Sequence, residues 1–331
     1  MDRSRATTPR GRTSVAKRGA RWLTVAGLAV AGWSNTAPAD GQATPYVVRS
    51  ADAPELGPGA ARIKEQEKDG KPRPPPPFTV KVLADPVNVK AQQVSLTLLS
   101  VAPANRVAMH RHPRSAKALY LLKGHARLLG PPGVEPKKLD EGSAVFIPAG
   151  YPHVIENMGR QSPAVFLQAF APPGPEKVYR DPKDPEGGAE FEVIRDPGQA
   201  KASPPSNGQV VVRSIGDVAP LPMPGSKGTV RALLAPQDTG SPALALDVLE
   251  LAPGAEVPRH QHAASGEVLY IVSGGGTLTV GSDTYPFAAE DAIHVPADQP
   301  HGAKIASGGK MVAIQIQAPA EAATPEPGKK F

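Results

Sequence analysis

Two pairs of histidines stand out as residues that could hold a metal ion together. The first pair is His110 and His112, and the second is His260 and His262. Side chains two residues apart in a β-strand point to the same face, so each pair could direct two imidazoles at one ion, and neutral imidazole is a common metal ligand. The chain has only eight histidines in 331 residues, so two such pairs are more than chance would supply.

The sequence around the two pairs is repeated. Residues 119–124 match residues 269–274, at the same offset of 150 residues that separates the histidine pairs. His153 and His301 repeat at an offset of 148, which one loop insertion or deletion explains. The chain therefore contains an internal duplication whose unit is a whole domain.

Short runs of β-branched and apolar residues, separated by turns, must position these histidines. In the first copy the runs cover 78–82, 94–99, 119–122, 144–147 and 164–167, and in the second copy they resume at 209–212. The chain has 33 glycines and 40 prolines but only 5% aromatic residues, which suits short strands and many turns. We therefore predict a mainly β structure of sandwich or barrel type.

The segments outside the copies have a different composition. Residues 40–77 contain few large apolar side chains and end in a proline-rich run, so they predict an extended linker. Residues 171–208 are rich in proline, glycine and charge and predict a second linker. We expect domains at 78–170 and 209–317, followed by a flexible tail at 318–331.

The amino-terminal segment, residues 1–39, resembles a secretory signal. It has a basic start, an apolar run at 22–33, and Ala37-Pro38-Ala39 before Asp40. The apolar run is too short to span a bilayer, which takes about 20 residues. We expect export to the periplasm or the medium, a mature chain that begins near Asp40, and no membrane attachment after cleavage.

Charge and cysteine content exclude several classes of protein. The formal net charge is +6, but residues 1–39 hold seven basic residues against one acidic residue, and the rest of the chain has 30 of each. A neutral remainder has no overall field to attract a nucleic acid. The chain has no cysteine, which excludes disulfides, cysteine nucleophiles and cysteine-ligated metal sites.

The second copy carries a longer pattern of metal-ligand type. Gly254, His260, His262, Glu267 and Gly274 have the spacing of the first sequence motif of the cupin superfamily, and the second copy resembles that family at every defining position.

The second cupin motif is clearer in the first copy, which matches it at Gly142, Pro148, Gly150, His153 and Asn157. The second copy keeps Pro296 and His301 but has Glu290, Asp298 and Ile305 at the remaining positions. The whole chain is therefore similar to secreted bicupins such as oxalate decarboxylases and quercetinase-like proteins.

The resemblance implies an all-β fold of two tandem cupin barrels (double-stranded β-helix, or jelly roll) joined by a Pro/Gly-rich linker. It also implies a metal inside the second barrel, held by His260, His262, Glu267 and His301. Three imidazoles and one carboxylate suit a first-row divalent ion. We expect manganese or iron, with copper, nickel or zinc as alternatives, and about two coordination positions open for substrate or oxygen.

The first copy departs from this ligand set. Lys117 stands where the second copy has Glu267, and no carboxylate occurs between residues 113 and 130. Three alternatives stay open: His110, His112 and His153 bind a metal by themselves, the site is empty, or Lys117 holds an anionic ligand.

A few other polar residues have an expected place in the barrels. His125 and His294 have no counterpart in the other copy and are expected to be structural. Gln315 and Gln317 share one face of the final strand and could point into the second barrel.

Two classes of function follow from these observations. The first is a metal-dependent enzyme that acts on a small organic acid or an oxidisable aromatic compound at the second site, with Glu267 as a candidate catalytic group. An oxygenase is favoured over a decarboxylase because the first site lacks its carboxylate. The alternative is a binding protein in which the metal or the basic pocket only holds a small ligand. The sequence is also compatible with a homo-oligomer.

Overall fold

The computed structural model describes residues 46–58, 75–180, 190–200 and 208–321, all within one compact unit, 43–331. The predicted signal segment, 1–39, lies outside the described residues. Among the described residues, none of the helices has both the length and the apolar content of a transmembrane span.

The described part of the first half contains eleven short strands. They are β1 Val47–Arg49, β2 Phe78–Ala84, β3 Ser95–Val101, β4 Arg106–Arg111, β5 Ala116–Lys123, β6 Ala126–Leu129, β7 Lys137–Leu139, β8 Ser143–Ile147, β9 His153–Asn157, β10 Ala164–Ala171 and β11 Glu192–Val193. Alternation of buried and partly exposed positions is clear in β2, where Phe78, Val80 and Val82 face inward.

The second half repeats this arrangement. Its strands are β12 Val211–Ser214, β13 Leu221–Pro222, β14 Gly228–Leu234, β15 Ala245–Leu251, β16 Glu256–His260, β17 Gly266–Ser273, β18 Gly275–Val280, β19 Asp283–Ala288, β20 Asp291–Val295, β21 His301–Ile305 and β22 Met311–Ala318. Among the described residues, helical structure is limited to single turns, α1 Lys177–Arg180 and α2 Pro236–Thr239, and two 3₁₀ turns at Pro197–Gln199 and Ile215–Asp217.

Each copy folds into a barrel of two sheets. The first barrel pairs a six-stranded sheet, β12-β8-β5-β10-β3-β2, with a five-stranded sheet, β11-β4-β9-β6-β7. The second pairs a seven-stranded sheet, β1-β20-β17-β22-β15-β14-β13, with a four-stranded sheet, β16-β21-β18-β19. Equivalent strands occupy equivalent positions in the two barrels. The predicted all-β fold of two tandem barrels is confirmed.

The two barrels exchange edge strands across the predicted domain boundaries. Strand β1, inside the predicted linker 40–77, pairs with β20 of the second barrel. Strand β12, at the predicted start of the second domain, pairs with β8 of the first barrel. An edge strand has unpaired backbone groups that a further strand can satisfy. These segments therefore complete the opposite barrel rather than only connecting the two.

A shared apolar core lies between the barrels. Phe146 and Leu167 of the first barrel belong to the same buried cluster as Leu246, Val268 and Ile316 of the second. Because this core is continuous, the barrels stabilise each other by burying common apolar surface.

In the second copy, the second cupin motif lacks its two glycines but keeps their left-handed backbone conformation. Gly142 and Gly150 have φ angles of 85° and 77°, and their counterparts Glu290 and Asp298 have φ angles of 70° and 59°. Left-handed backbone is costly for residues with a Cβ atom. The turns that precede His153 and His301 are thus the same shape, and the second copy keeps that shape with less suitable residues.

Candidate metal centres

The second barrel brings its four candidate ligands to one point. His260 ends β16, His262 follows two residues later, Glu267 lies on β17, and His301 begins β21. Pairing of β16 with β21 puts His260 opposite His301. One nitrogen or oxygen atom from each of the four side chains lies within 4.8 Å of the others, so the residues selected by spacing form one cluster.

Backbone carbonyls fix the tautomers of two of these histidines. The Nδ1 atom of His260 lies 2.8 Å from the carbonyl oxygen of Pro258, and that of His301 lies 2.9 Å from the carbonyl oxygen of Gln299. A neutral imidazole has one N–H group, and here Nδ1 donates it. The Nε2 lone pairs are therefore free for a metal. A hydrogen bond to the other ring nitrogen commonly fixes the orientation of a metal-binding histidine in this way.

Glu267 presents one oxygen to the histidines. Its Oε1 accepts a hydrogen bond from Gln315 at 2.5 Å, while its Oε2 lies 3.0 Å from Nε2 of His301 and 3.6 Å from Nε2 of His262. If the imidazole of His301 is neutral, two lone pairs face each other there. A cation between them, either a proton or a metal, removes that conflict. The donor set therefore fits a divalent metal.

The electrostatics of the cluster support the same conclusion. Burial alone would raise the pKa of Glu267, but the imidazoles of His262 and His301, when protonated, lie close enough to hold it well below its usual range. Burial alone would lower the pKa of both histidines, yet the Glu267 carboxylate raises them, and that of His262 reaches about 9 with the help of Glu321. The buried carboxylate recruits protons that a divalent cation would displace.

Two residues that hold the ligands in place come from the end of the chain. The carboxylate of Glu321 lies 2.8 Å from Nδ1 of His262, and the amide of Gln317 lies 3.2 Å from its Nε2. Gln315 and Gln317 face into the second barrel, as predicted. Glu321 falls in the predicted flexible tail, and no motif marked it. Residues 322–331 lie outside the described residues.

A cavity opens beside the second cluster. Its volume is about 80 Å³, and His260, Glu267, His301 and Gln315 line its polar end while apolar side chains line the rest. His260 and His262 are only partly buried, so small molecules can reach the ligands from solvent.

Asp247 is a carboxylate near this cluster that sequence reasoning missed. It lies on β15 on the same face as Leu249 and Leu251, which line the cavity, and it pairs across the sheet with Gln315. Burial, and then the charge of Glu267, raise the pKa of Asp247 to about 7. The equivalent position in the first copy is Thr97. Comparison of the two copies would have singled out this carboxylate.

The first barrel also brings its three predicted histidines together. Ligand atoms of His110, His112 and His153 lie within 4.8 Å of one another, and each residue is at most 2% exposed. The Nδ1 atoms of His110 and His153 point to backbone carbonyls of Ala108 and Tyr151 at 2.7 and 2.9 Å. The histidine arrangement matches that of the second barrel.

Lys117 lies inside the first barrel, where it lines a cavity with His110 and His112. Its ammonium nitrogen is 5.5 Å from the ring centre of Phe170. Burial lowers the pKa of Lys117 to about 7. Burial, and then the Lys117 charge, lower the pKa of His110 to about 3. Among the described residues lining this cavity there is no carboxylate, so the cluster is basic.

Phe191 closes the first site. Its ring stacks on His110 at 4.8 Å between ring centres, with 13° between the planes. Its neighbours are tied to the barrel, because Glu192 pairs with Arg111 at 2.8 Å and Glu190 pairs with Arg114. The cavity that remains is about 10 Å³, close to the minimum for one water molecule. A segment predicted as linker thus seals this barrel.

The two unmatched histidines lie outside both clusters. His125 is exposed, with Nδ1 2.9 Å from Asp140. His294 is buried on β20, where burial lowers its pKa to about 4. The structure places neither of them among the candidate ligands.

The two barrels and their clusters define the class of protein. The family model for the cupin domain matches residues 97–170 and 247–316, and each match contains one histidine cluster. The chain belongs to the cupin superfamily, and because it has two such domains it is a bicupin.

Solved structures of Bacillus subtilis oxalate decarboxylase have a similar fold. One, from work on the Mn(II) centres of that enzyme, superposes with a TM-score of 0.60 at 16% identity, and covers 86% of this chain and 79% of that one. Another, at pH 4.6, gives a TM-score of 0.58 at 17% identity over 83% and 76% of the two chains. At this level of identity the likeness concerns the fold alone.

Two curated relatives are similar in sequence over one barrel's length. Tetracenomycin polyketide synthase protein TcmJ of Streptomyces glaucescens is 33% identical over 88 residues, which is 27% of this chain and 58% of that protein. Polyketide synthase CurC of Streptomyces cyaneus is 28% identical over 74 residues, or 22% and 48%. The chain spans about half the length of these relatives.

Proposed function

We propose that this chain is an exported, metal-dependent enzyme whose active centre lies in the second barrel. The metal is a divalent first-row ion, manganese or iron, held by His260, His262, Glu267 and His301. The reaction is of oxygenase or decarboxylase type, and the substrate is a small organic acid or aromatic compound. The Mn(II) centres of the oxalate decarboxylase with a similar fold support manganese.

The difference between the two sites carries this proposal. The second has a carboxylate in its donor set, partly exposed histidines and an adjoining cavity of about 80 Å³. The first has a buried lysine in place of the carboxylate and is covered by Phe191. A reaction needs access for its substrate, and the second site offers it.

The protein residues have separate roles in this reaction. A divalent metal at the cluster would polarise an oxygen-containing group of the substrate. Gln315 holds Oε1 of Glu267 and so directs Oε2 toward the histidines. Asp247 can take up or release a proton at its carboxyl oxygens near neutral pH, because its pKa is about 7.

Metal analysis combined with two turnover assays tests the proposal. Purified protein should hold one tightly bound manganese or iron per chain. Glu267→Gln should lower the affinity for this metal more than about 100-fold, because loss of a residue that only holds a ligand in place already lowers metal affinity by about 10–100-fold. Glu256→Gln is the matched control, because Glu256 is an exposed carboxylate on β16. Oxygen uptake with aromatic substrates and carbon dioxide release from oxalate distinguish the reaction types. Full metal retention in Glu267→Gln would contradict the assignment.

A second candidate function is ligand binding at the first site. Both ring nitrogens of His112 and the Nε2 atom of His153 are buried without a hydrogen-bond partner, and Lys117 lies beside the histidines. A small anion could pair with the Lys117 ammonium and accept the one N–H group of a neutral His112, and the remaining space of about 10 Å³ limits it to about one atom in size. Bromide soaked into crystals should give anomalous density beside Lys117 that Lys117→Met removes. Metal density at the histidines in both proteins would rule out the anion.

A further inference from the structure

We propose that the interior of the second barrel is a binding chamber for the uncharged, apolar part of the substrate. This apolar chamber is the cavity of about 80 Å³ lined by Leu249, Leu269, Ile271, Leu278, Phe287 and Ala303, among others. The inference rests on the proposed metal centre, which would hold the polar end of the same molecule.

The polar groups of the chamber are confined to one end. They are His260, Glu267, His301 and Gln315, which are candidate metal ligands or hydrogen-bond to one. Among the described residues that line the chamber there is no lysine, arginine or aspartate. A charged group pushed past the cluster would lose its water and meet no partner, which is costly. An alkyl or aryl group would instead gain by leaving water.

Comparison with the first barrel shows what creates the space. Ala303 and Ala313 of the second barrel occupy the positions of Ile155 and Phe166 in the first. Ile155 and Phe166 are fully buried and fill the first barrel. Protein interiors are normally close-packed, so Ala303, the one of the two alanines that lines the chamber, leaves a hollow where Ile155 fills the other copy.

The chamber is also open to small molecules, which the equivalent space is not. Leu269 and Val257 are partly exposed, whereas their counterparts Leu119 and Val107 are 0% and 5% exposed. The partly buried His260 lines the same chamber. A ligand can therefore pass the metal cluster and place its apolar end in the chamber.

The volume sets the size of the group. One water needs about 10–15 Å³ of such a cavity, and a cavity of about 150 Å³ holds benzene. The chamber, at about 80 Å³, lies between these values. It suits a short or branched alkyl group, or the leading edge of a ring, of about three to five non-hydrogen atoms.

Xenon tests the chamber without any metal. Crystals of metal-free protein kept under xenon pressure should show a xenon atom among Leu249, Leu278 and Phe287, because apolar cavities of this kind bind xenon. Ala303→Ile should abolish that site, and Ala306→Ile should keep it, since Ala306 is exposed. Ala303→Val serves if the isoleucine variant does not fold. Absence of xenon in the wild-type chamber would overturn the proposal.

A series of alkyl hydroxamates, which carry a metal-binding head, tests the chamber as a substrate subsite. Calorimetry on the manganese-loaded protein should give affinities that rise about threefold to fourfold for each added methylene, as expected for burial of a CH₂ group. The rise should stop after about three to five carbons, and one or two carbons earlier in Ala303→Ile.

The two measurements separate the possible failures. Hydroxamates that bind equally at every chain length would overturn the chamber as a subsite and leave the metal centre intact. Xenon binding without any hydroxamate binding would support the apolar chamber and contradict the metal centre.

Discussion

Replacing Lys117 by glutamate should convert the closed basic cluster of the first barrel into a second metal centre. Lys117 occupies the position of Glu267, is buried, and faces His110 and His112. Gln168 lines the same cavity at the position of Gln315, so the new carboxylate would find an equivalent hydrogen-bond donor. The substitution therefore restores a complete set of three imidazoles and one carboxylate.

The magnitude follows from two effects. At pH 7 about half of the Lys117 side chains carry a proton, because its pKa is about 7. Below that pH the neutral fraction falls about tenfold per unit, and metal affinity should fall with it, since a protonated group competes with the ion. The new carboxylate also adds a direct ligand. We expect it to raise metal affinity more than about 100-fold, because residues that only hold a ligand in place already change metal affinity by about 10–100-fold. At pH 6 the total gain is about 1,000-fold.

The assay is metal content per chain after equilibrium dialysis against graded chelator. Wild-type protein should retain one tightly bound metal, and Lys117→Glu should retain two. The reciprocal change Glu267→Lys should retain none. Lys123→Glu is the control, because Lys123 is an exposed lysine on the same strand, β5, and it should behave as wild type.

Two results would refute this reasoning. If wild-type protein already holds two metals of similar affinity, His110, His112 and His153 suffice and Lys117 is no obstacle. If Lys117→Glu still holds one metal, closure by Phe191 rather than charge limits the site.

Further predictions concern pH, access and export. In metal-free protein, Lys117→Met should raise the free energy of unfolding by a few kcal/mol at or below pH 7, and the gain should vanish between about pH 7 and 10.5, because folding lowers this pKa from 10.5 to about 7. Asp247→Asn should gain stability relative to wild type as pH rises from about 4 to 7, because the folded pKa is raised from 3.8 to about 7; a pH-independent difference in denaturant titrations would contradict it. Phe191→Ala should speed modification of His110 by diethyl pyrocarbonate, followed by mass spectrometry, whereas an unchanged rate would mean another route of closure. Mass spectrometry of exported protein should show a chain beginning near Asp40, whereas a full-length chain retained in the cytoplasm would oppose export.

The sequence predicted the candidate ligands through two signals, the spacing of the histidine pairs and the resemblance to the cupin motifs. Strand alternation puts His260 and His262 on one side, and the duplication supplies the equivalent pair in the first barrel. The barrel fold followed from strand-like runs together with the resemblance to cupins. Of these signals, only the histidine spacing is local, and Glu267 and His301 were assigned through the longer cupin motifs.

Contacts made by the segments between and after the barrels could not be predicted in this way. Phe191 covers the first site from a region read as linker, and Glu321 reaches His262 from a region read as tail. Strands β1 and β12 join the opposite barrel. All of these are long-range pairings with no local signature, so the composition of these segments predicted only linkers and a flexible tail.

The two copies share one framework and differ at a few inward positions, and this division has an energetic basis. Where the first copy has Ile155, the second has Ala303, which lines a cavity of about 80 Å³; a cavity costs stability because its lining lacks contacts. The filled first barrel and the continuous core between the barrels offset that cost. The first barrel can thus act as a structural support that lets the second keep a hollow interior.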